Sequence, residues 1–158
     1  MGTGKSSVGE LLAKQLSWTY TDLDAYIVQD QQMTISEIFL QKNEAFFREI
    51  ESTCLAKAVT QQNQVLATGG GAVLSASNRQ LMVQAGLVIA LTAPIQVIIE
   101  RLQYDHTRPL LQGNVDQRVQ QLMTQREHAY DFAHMTIDTS QLHTVQVMRK
   151  ILSELREI

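Results

Sequence analysis

The sequence has few of several residue types, and each scarcity excludes a class of protein. One cysteine, Cys54, occurs among 158 residues, so an internal disulfide is excluded and a reducing compartment is expected. No apolar run reaches the roughly 18 residues that a membrane-spanning helix needs, and the first residues lack the apolar segment of a secretory signal. The net charge of −3 argues against a basic nucleic-acid surface. We therefore expect a cytoplasmic protein that binds neither membranes nor nucleic acid.

The apolar content is sufficient for a single domain spanning residues 1–158, because apolar residues make up 44% of the chain. Periodic apolar residues predict helices over residues 5–16, 44–59, 77–85 and 115–130, and further helices beginning near residues 34, 94 and 144. Short apolar runs predict strands over residues 18–21, 65–68, 87–91 and 135–137. Strands that alternate with helices favour a three-layer α/β/α fold with a parallel sheet in the middle.

The first residues have the composition of a phosphate-binding loop. Gly2–Ser6 reads GTGKS, which is the second half of the pattern GxxxxGK[ST], and a predicted helix follows directly. Glycines let backbone N–H groups turn toward phosphate oxygens, and a helix N-terminus favours negative charge. Lys5 would then reach the β- and γ-phosphates of ATP, and the Ser6 hydroxyl would bind Mg²⁺. The alternative is a flexible glycine-rich terminus in which the motif arises by chance.

The beginning of the pattern is not in the chain. Its first glycine would fall two places before Met1, and the strand that feeds such a loop would precede that glycine. We therefore expect the natural protein to start about ten to fifteen residues upstream, with one more strand. On this expectation the literal chain is poorly stable and weakly active.

Two aspartates follow the first predicted strand. Asp22 and Asp24 are two residues apart, so their side chains would point to one face if the strand extended through them. At the carboxyl end of a parallel strand that face borders the ligand crevice. One carboxylate would act on Mg²⁺ through water, and the other would accept the proton of an attacking hydroxyl. The alternative is that both are helix N-cap or turn residues.

An arginine and a run of glycines are the next candidates for binding a small anion. Arg48 lies on a helix with an apolar side, where the alternative is a surface salt bridge to Glu44 or Glu51. Gly69–Gly71 follows an apolar strand and would allow a ligand to approach the backbone closely.

Two later arginines are candidates as well. Arg108 lies in the longest irregular stretch, where a mobile lid around residues 104–115 would close over the transferring phosphate. Arg126 and Tyr130 are four apart on a predicted helix, and an arginine there would hold a carboxylate through paired hydrogen bonds. Solvent exposure is the alternative for both arginines.

Taken together, these segments resemble the shikimate kinases. The resemblance rests on GTGKSS, DLD, IFLQKNEAFFREIE, VLATGGGAV, RPLL and an arginine four residues before a tyrosine, in that order. It covers nearly the whole chain and implies the fold of the nucleoside-monophosphate kinases, a five-stranded parallel sheet whose central first strand would be missing here. The implied reaction uses ATP and Mg²⁺ to phosphorylate the 3-hydroxyl of shikimate in aromatic amino-acid synthesis.

The resemblance also implies a role for each candidate, and it implies that all of them converge on one cleft. The catalytic residues would be Lys5, Asp24 and Arg108. Shikimate would be bound by Asp24, Arg48, Gly70, Gly71 and Arg126. ATP would be bound by Gly2, Thr3, Gly4, Lys5, Ser6, Ser7, Arg108 and Arg101, the last packing against adenine. Mg²⁺ would be held by Ser6 and, through water, by Asp22. No coiled-coil repeat is present, and a monomer is expected.

Two other functions stay open at this point. A kinase of another polyol acid, such as gluconate, would share the phosphate loop, although the DLD, FFR and GGG segments with Arg126 suit a cyclic hydroxy-carboxylate better. A truncated, inactive nucleotide-binding protein would bind ATP without turning it over.

Overall fold

A computed structural model of the protein describes residues 2–103 and 115–155. In these ranges helices alternate with short strands, as the sequence predicted. The elements are α1 (Lys5–Leu16), β1 (Thr19–Asp22), α2 (Leu23–Gln31), α3 (Ile35–Gln41), α4 (Glu44–Ala58), β2 (Gln64–Ala67), a 3₁₀ turn (Ala72–Leu74), α5 (Ala76–Ala85), β3 (Ile89–Thr92), α6 (Ile95–Gln103), α7 (Val115–Gln125), β4 (Met135–Asp138) and α8 (Thr144–Leu155). None of the helices described is both long and apolar enough to cross a membrane.

The chain divides into two compact units. The phosphate-loop unit contains Met1–Val8 and Val88–Ile158, and the central unit contains Gly9–Leu87. The single domain expected over residues 1–158 stays a prediction. The lid expected around residues 104–115 lies, apart from its last residue, outside the described residues.

In the central unit, β1 and β2 pair in parallel. Their register aligns Thr19 with Gln64 and Asp22 with Ala67, so both strands end at the same edge. Helices α2 and α4 pack together, and their apolar side chains Leu23, Ile27 and Leu55 are completely buried. The parallel register therefore places the start of α2 beside the glycine-rich turn that follows β2.

In the phosphate-loop unit, β3 and β4 form a second parallel pair, with Thr92 opposite Asp138. The core beside them joins α6 to α7 through the buried side chains Ala93, Ile98, Leu102 and Val119. The parallel pairing that the sequence predicted is confirmed in both units. In each unit the carboxyl ends of the strands lead into segments that carry predicted site residues.

One helix was missed and one predicted orientation was wrong. The chain turns into α2 directly after Asp22, whose Oδ1 caps the helix by accepting the N–H groups of Asp24, at 2.9 Å, and Ala25, at 3.2 Å. Asp24 therefore lies in the first helical turn, and the two carboxylates do not share a strand face. The capping alternative is the observed structure for Asp22, because a short carboxylate satisfies the otherwise unpaired N–H groups of a helix start.

Helix α7 ends at Gln125, five residues earlier than predicted. Beyond it the chain continues in tight turns, with the Arg126 N–H donating to Met123 O at 3.1 Å and the Ala129 N–H donating to Arg126 O at 3.0 Å. Arg126 and Tyr130 consequently do not lie on one helical face. No glycine or proline occurs in residues 115–130, so the sequence contained no signal for this end.

Candidate functional site

Two carboxylates meet at the glycine-rich turn of the central unit. A β-carbon placed on Gly69 would lie 3.0 Å from Asp24 Oδ1 and 3.3 Å from Glu51 Oε1. Asp24 comes from the first turn of α2 and Glu51 from the middle of α4. Both acids therefore face the backbone of Gly69, which leaves room for them by having no side chain.

Arg48 joins the same group from α4. Its Nη1 donates to Glu51 Oε2 at 2.8 Å and its Nη2 donates to Glu44 Oε1 at 3.0 Å. The guanidinium carbon lies 5.2 Å from the centre of the Phe47 ring. On its other side the guanidinium is against Gly71, where an added β-carbon would lie only 2.7 Å from Nη2. Four contacts thus fix the position of one positive charge.

The two acid partners of Arg48 differ in their exposure. Glu51 is only 1% exposed, whereas the side chain of Glu44 is 66% exposed. Burial of the guanidinium acts to lower the pKa of Arg48, but the hydrogen bonds and charges of Glu51 and Glu44 outweigh it and raise that pKa. The surface salt bridge that the sequence analysis allowed as an alternative exists at Glu44, while the bond to Glu51 is internal.

Glu51 was expected only as a surface partner of Arg48, and its place in the site was missed. A signal was present, since Glu51 falls on the buried side of α4 with Phe47, Cys54, Leu55 and Ala58. A charged residue at a core position of an amphipathic helix is rarely fully buried unless it is paired. That rule would have pointed to the arginine three residues earlier.

Two of the three glycines in this turn are closely packed by side chains. Gly69 and Gly71 are contacted by side chains of this chain, and neither has a positive φ, so space rather than backbone conformation requires glycine there. Gly70 lies between them in the turn. The binding of a ligand at Gly70 and Gly71 stays a prediction.

The phosphate loop has the backbone that its sequence predicted. Gly2 and Gly4 have φ values of +68° and +82°, which residues with a side chain rarely adopt. Helix α1 begins at Lys5, and its first turn is closed by the Val8 N–H donating to Gly4 O at 2.9 Å. Residues Gly2–Ser7 line one side of a cavity of about 430 Å³. A helix start beside a cavity favours an anion.

Arg101 lines the other side of that cavity. Its Nη1 donates to Gly2 O at 3.2 Å and to Thr139 Oγ1 at 3.1 Å, and its Nη2 donates to Thr139 O at 2.7 Å. Lys5, Ser6 and Arg101, which the sequence assigned to ATP, therefore share one cavity within the phosphate-loop unit.

The remaining predicted residues have varied positions. Arg126 follows α7, and its buried Nε has no hydrogen-bond partner among the described residues. Arg108 lies outside the described residues.

The predicted residues fall into two groups. One contains Asp24, Arg48 and Gly71, and the other contains Lys5, Ser6 and Arg101. The expectation that all converge on one cleft stays a prediction. In the ranges described, no group of three or more acidic, histidine or cysteine side chains suggests a metal centre.

Comparisons with known proteins agree with the residue pattern. The sequence model of the family "Shikimate kinase" matches residues 1–156. A shikimate kinase from Geobacter sulfurreducens is 44% identical over 158 residues, covering 99% of this chain and 87% of the relative. The structure of shikimate kinase from Acinetobacter baumannii in complex with shikimate superimposes with a TM-score of 0.93 at 36% identity, covering 99% of this chain and 89% of that one. The enzyme from Bacteroides thetaiotaomicron gives a TM-score of 0.90 at 31% identity, with 100% and 94% covered.

Proposed function

Because this chain belongs to the shikimate kinase family, we propose that its two groups of site residues bind the two substrates of one phosphoryl transfer. The protein is an ATP-dependent kinase with the α/β fold of the P-loop kinases. It transfers the γ-phosphate of ATP to the 3-hydroxyl of shikimate, which gives 3-phosphoshikimate and ADP. The single observation that carries the residue assignment is the convergence of Asp24, Arg48 and Glu51 on the glycines of one turn.

Arg48 is the proposed anchor for the carboxylate of shikimate. A guanidinium has five N–H donors, and the bonds to Glu51 and Glu44 use two of them, so three have no partner among the described residues. Paired N–H groups match the two oxygens of a carboxylate. Glu51 holds the guanidinium in place, and the side chain of Arg48 is still 33% exposed. Arg126, whose Nε is unpaired among the described residues, is proposed as the second arginine for this carboxylate. The backbone of Gly70 and Gly71 is proposed to bind shikimate as well.

Asp24 is the proposed partner of the reacting hydroxyl. Its carboxylate lies beside Gly69 in the same turn as the proposed carboxylate site. There it would orient the 3-hydroxyl by accepting its hydrogen bond and would take its proton as the oxygen attacks the γ-phosphate. Shikimate carries a carboxylate on one side of its ring and hydroxyls on the other, which fits a site where the cation Arg48 lies near the base Asp24.

ATP is proposed to bind in the cavity of the phosphate loop. The N–H groups of Gly2–Ser7 and the ammonium of Lys5 would hold the β- and γ-phosphates, and Arg101 would pack against adenine. Arg108 is proposed to face the phosphates as well. These positive groups would offset the charge that spreads over the γ-phosphate oxygens during transfer.

The residues proposed for Mg²⁺ carry suitable donors. The ion takes oxygen ligands and usually keeps several waters, and Ser6 offers a hydroxyl on the wall of the phosphate cavity. Asp22 Oδ1 already accepts two backbone N–H groups, which fits contact through water better than direct binding. When bound with ATP, Mg²⁺ neutralises part of the phosphate charge.

A coupled ADP-release assay tests this function. We expect ATP turnover that depends on shikimate and is absent with gluconate. Turnover with gluconate alone would support the other kinase, and ATP binding without turnover would support an inactive nucleotide-binding protein. We further propose a cytoplasmic monomer, which sedimentation of the purified protein and fractionation of its cells would check.

Replacement of Asp24 tests the assigned base. Asp24→Asn removes the proton acceptor at nearly constant shape, and kcat should fall by about 10²- to 10⁴-fold. Asp30→Asn, on the same helix, loses the ion pair to Lys57 and alters a hydrogen bond from Gln31, neither of which belongs to the site, and it should keep its activity. Equal activity of the two variants would remove Asp24 from the mechanism.

A further inference from the structure

The guanidinium of Arg101 connects two segments that are far apart in sequence. It donates to Gly2 O in the phosphate loop, and it donates twice to Thr139, once to the hydroxyl and once to the carbonyl. Thr139 directly follows β4 and is 2% exposed. A side chain that loses this much rotational freedom is held in place before any ligand arrives.

Thr139 is itself fixed by the neighbouring strand. Its N–H donates to Thr92 O at 2.8 Å and its Oγ1 donates to the same oxygen at 3.0 Å. A threonine hydroxyl has one proton and two lone pairs. Because the proton is directed to Thr92 O, a lone pair remains to accept the N–H of Arg101. Arg101 therefore donates to the Thr139 hydroxyl, and that hydroxyl donates to Thr92 O.

Gly2 also packs against α6. A β-carbon on Gly2 would lie 3.2 Å from Ile98 Cγ2 and 3.4 Å from Leu102 Cγ, so the loop backbone packs directly on that helix. The same helix carries Arg101, which reaches over to the Gly2 carbonyl. Gly2, with its φ of +68°, lies outside any helix or strand. Apolar contact and one charged hydrogen bond therefore fix its position.

We propose that Thr139 is a positioning residue for nucleotide binding, which acts by holding Arg101 against the carbonyl of Gly2. The proposal rests on the proposed function in taking ATP as the ligand of this cavity. Loss of the hydroxyl would remove one of the two bonds by which Thr139 holds Arg101, and the guanidinium would be held less firmly against the carbonyl of Gly2. The affinity for nucleotide would fall, while the affinity for shikimate would not change.

The test compares two replacements at residue 139. Thr139→Val keeps the shape and loses the hydroxyl, and it should raise the KM for ATP about tenfold or more, because a hydrogen bond to a charged group is lost. Thr139→Ser keeps the hydroxyl and should stay within about twofold of the parent. Thr136→Val makes the same chemical change at an exposed position of β4 and should leave both KM values unchanged. ADP binding, measured by calorimetry without shikimate, should weaken in parallel with the KM for ATP.

A double variant separates positioning from simple support of the fold. If Thr139 acts through Arg101, then Thr139→Val should have no further effect on ADP binding in an Arg101→Ala background. The proposal is wrong if the effects of the two replacements multiply, if Thr139→Ser behaves like Thr139→Val, or if Thr139→Val lowers the melting temperature with nucleotide binding unchanged. Lack of shikimate-dependent turnover in the parent with intact ADP binding would instead contradict the proposed function alone.

Discussion

The guanidinium of Arg48 lies in the space that a side chain on Gly71 would need. The two residues come from α4 and from the turn after β2, and the parallel pairing of β1 and β2 brings these segments together. Glu51, which is buried, and Glu44, which is exposed, hold the guanidinium from the other side. Arg48 is held firmly and still has donors for a ligand. It is suited to a ligand of fixed shape, because little side-chain entropy is lost on binding.

Gly71→Ala tests this packing directly. The new methyl group would displace the Arg48 guanidinium, so we expect kcat/KM for shikimate to fall about 100-fold or more with the KM for ATP little changed. Gly86→Ala is the matched control, since nothing lies within 4 Å of its added carbon and its φ of 169° is ordinary extended backbone. Steady-state kinetics of both variants provide the measurement, and a Gly71 variant with normal shikimate kinetics would contradict the assignment.

The two acids beside Arg48 should differ in importance. Glu51→Gln removes the buried one of the two charges that hold Arg48 and leaves only the exposed Glu44, so we expect the KM for shikimate to rise about tenfold or more. Glu44→Gln removes an exposed ion pair and should change that KM by less than about threefold. Titration of shikimate in the coupled assay measures the KM of both variants. Equal increases in the KM would show that the burial of the acid does not determine its importance for shikimate binding.

Lys5 should be essential for turnover. Lys5→Met keeps much of the side-chain length and removes the charge that would face the phosphates, so we expect kcat to fall about 10³-fold. Lys14→Met, made on the exposed surface of the same helix, should retain full activity. Single-turnover measurements at saturating ATP would distinguish slow chemistry from weak binding, and near-normal chemistry in the Lys5 variant would contradict the phosphate-loop assignment.

The capping box of α3 should make stability depend on pH. The Thr34 hydroxyl and N–H donate to Glu37, both at 2.7 Å, and these bonds lower the pKa of the carboxyl below its ordinary value of 4.5. A lowered carboxyl pKa stabilises the folded state above the unfolded pKa, and this contribution is lost as the pH falls through the folded pKa.

Glu37→Gln should therefore lower the melting temperature at pH 7, and the difference from the parent should shrink as the pH falls below the ordinary carboxyl pKa of 4.5 and through the lower folded pKa. Thermal unfolding between about pH 3 and pH 7 measures both effects. A difference that stays constant with pH would mean that the charge of Glu37 plays no part in the cap.

Much of this architecture follows from local sequence. The glycines before Lys5 predicted the loop and the start of α1, and the helix predicted to begin near residue 34 is α3, which starts at the capping box of Thr34 and Glu37. These features depend on residues within about one helical turn of each other, so the sequence alone contains their cause. The ordered motifs also sufficed to identify the family, because their residue types and spacing are properties of the sequence itself.

Other features depended on neighbours distant in the chain. Periodicity did not reveal that α2 begins directly after Asp22, nor that α7 ends at Gln125, because tertiary packing decides such boundaries. That Glu51 faces Gly69 appears only once α4 is packed on the glycine turn, and that Thr139 bonds Arg101 appears only once the end of β4 lies beside α6. Side chains that meet across 38 residues, as Arg101 and Thr139 do, are brought together by strand register and helix packing, which no local pattern specifies.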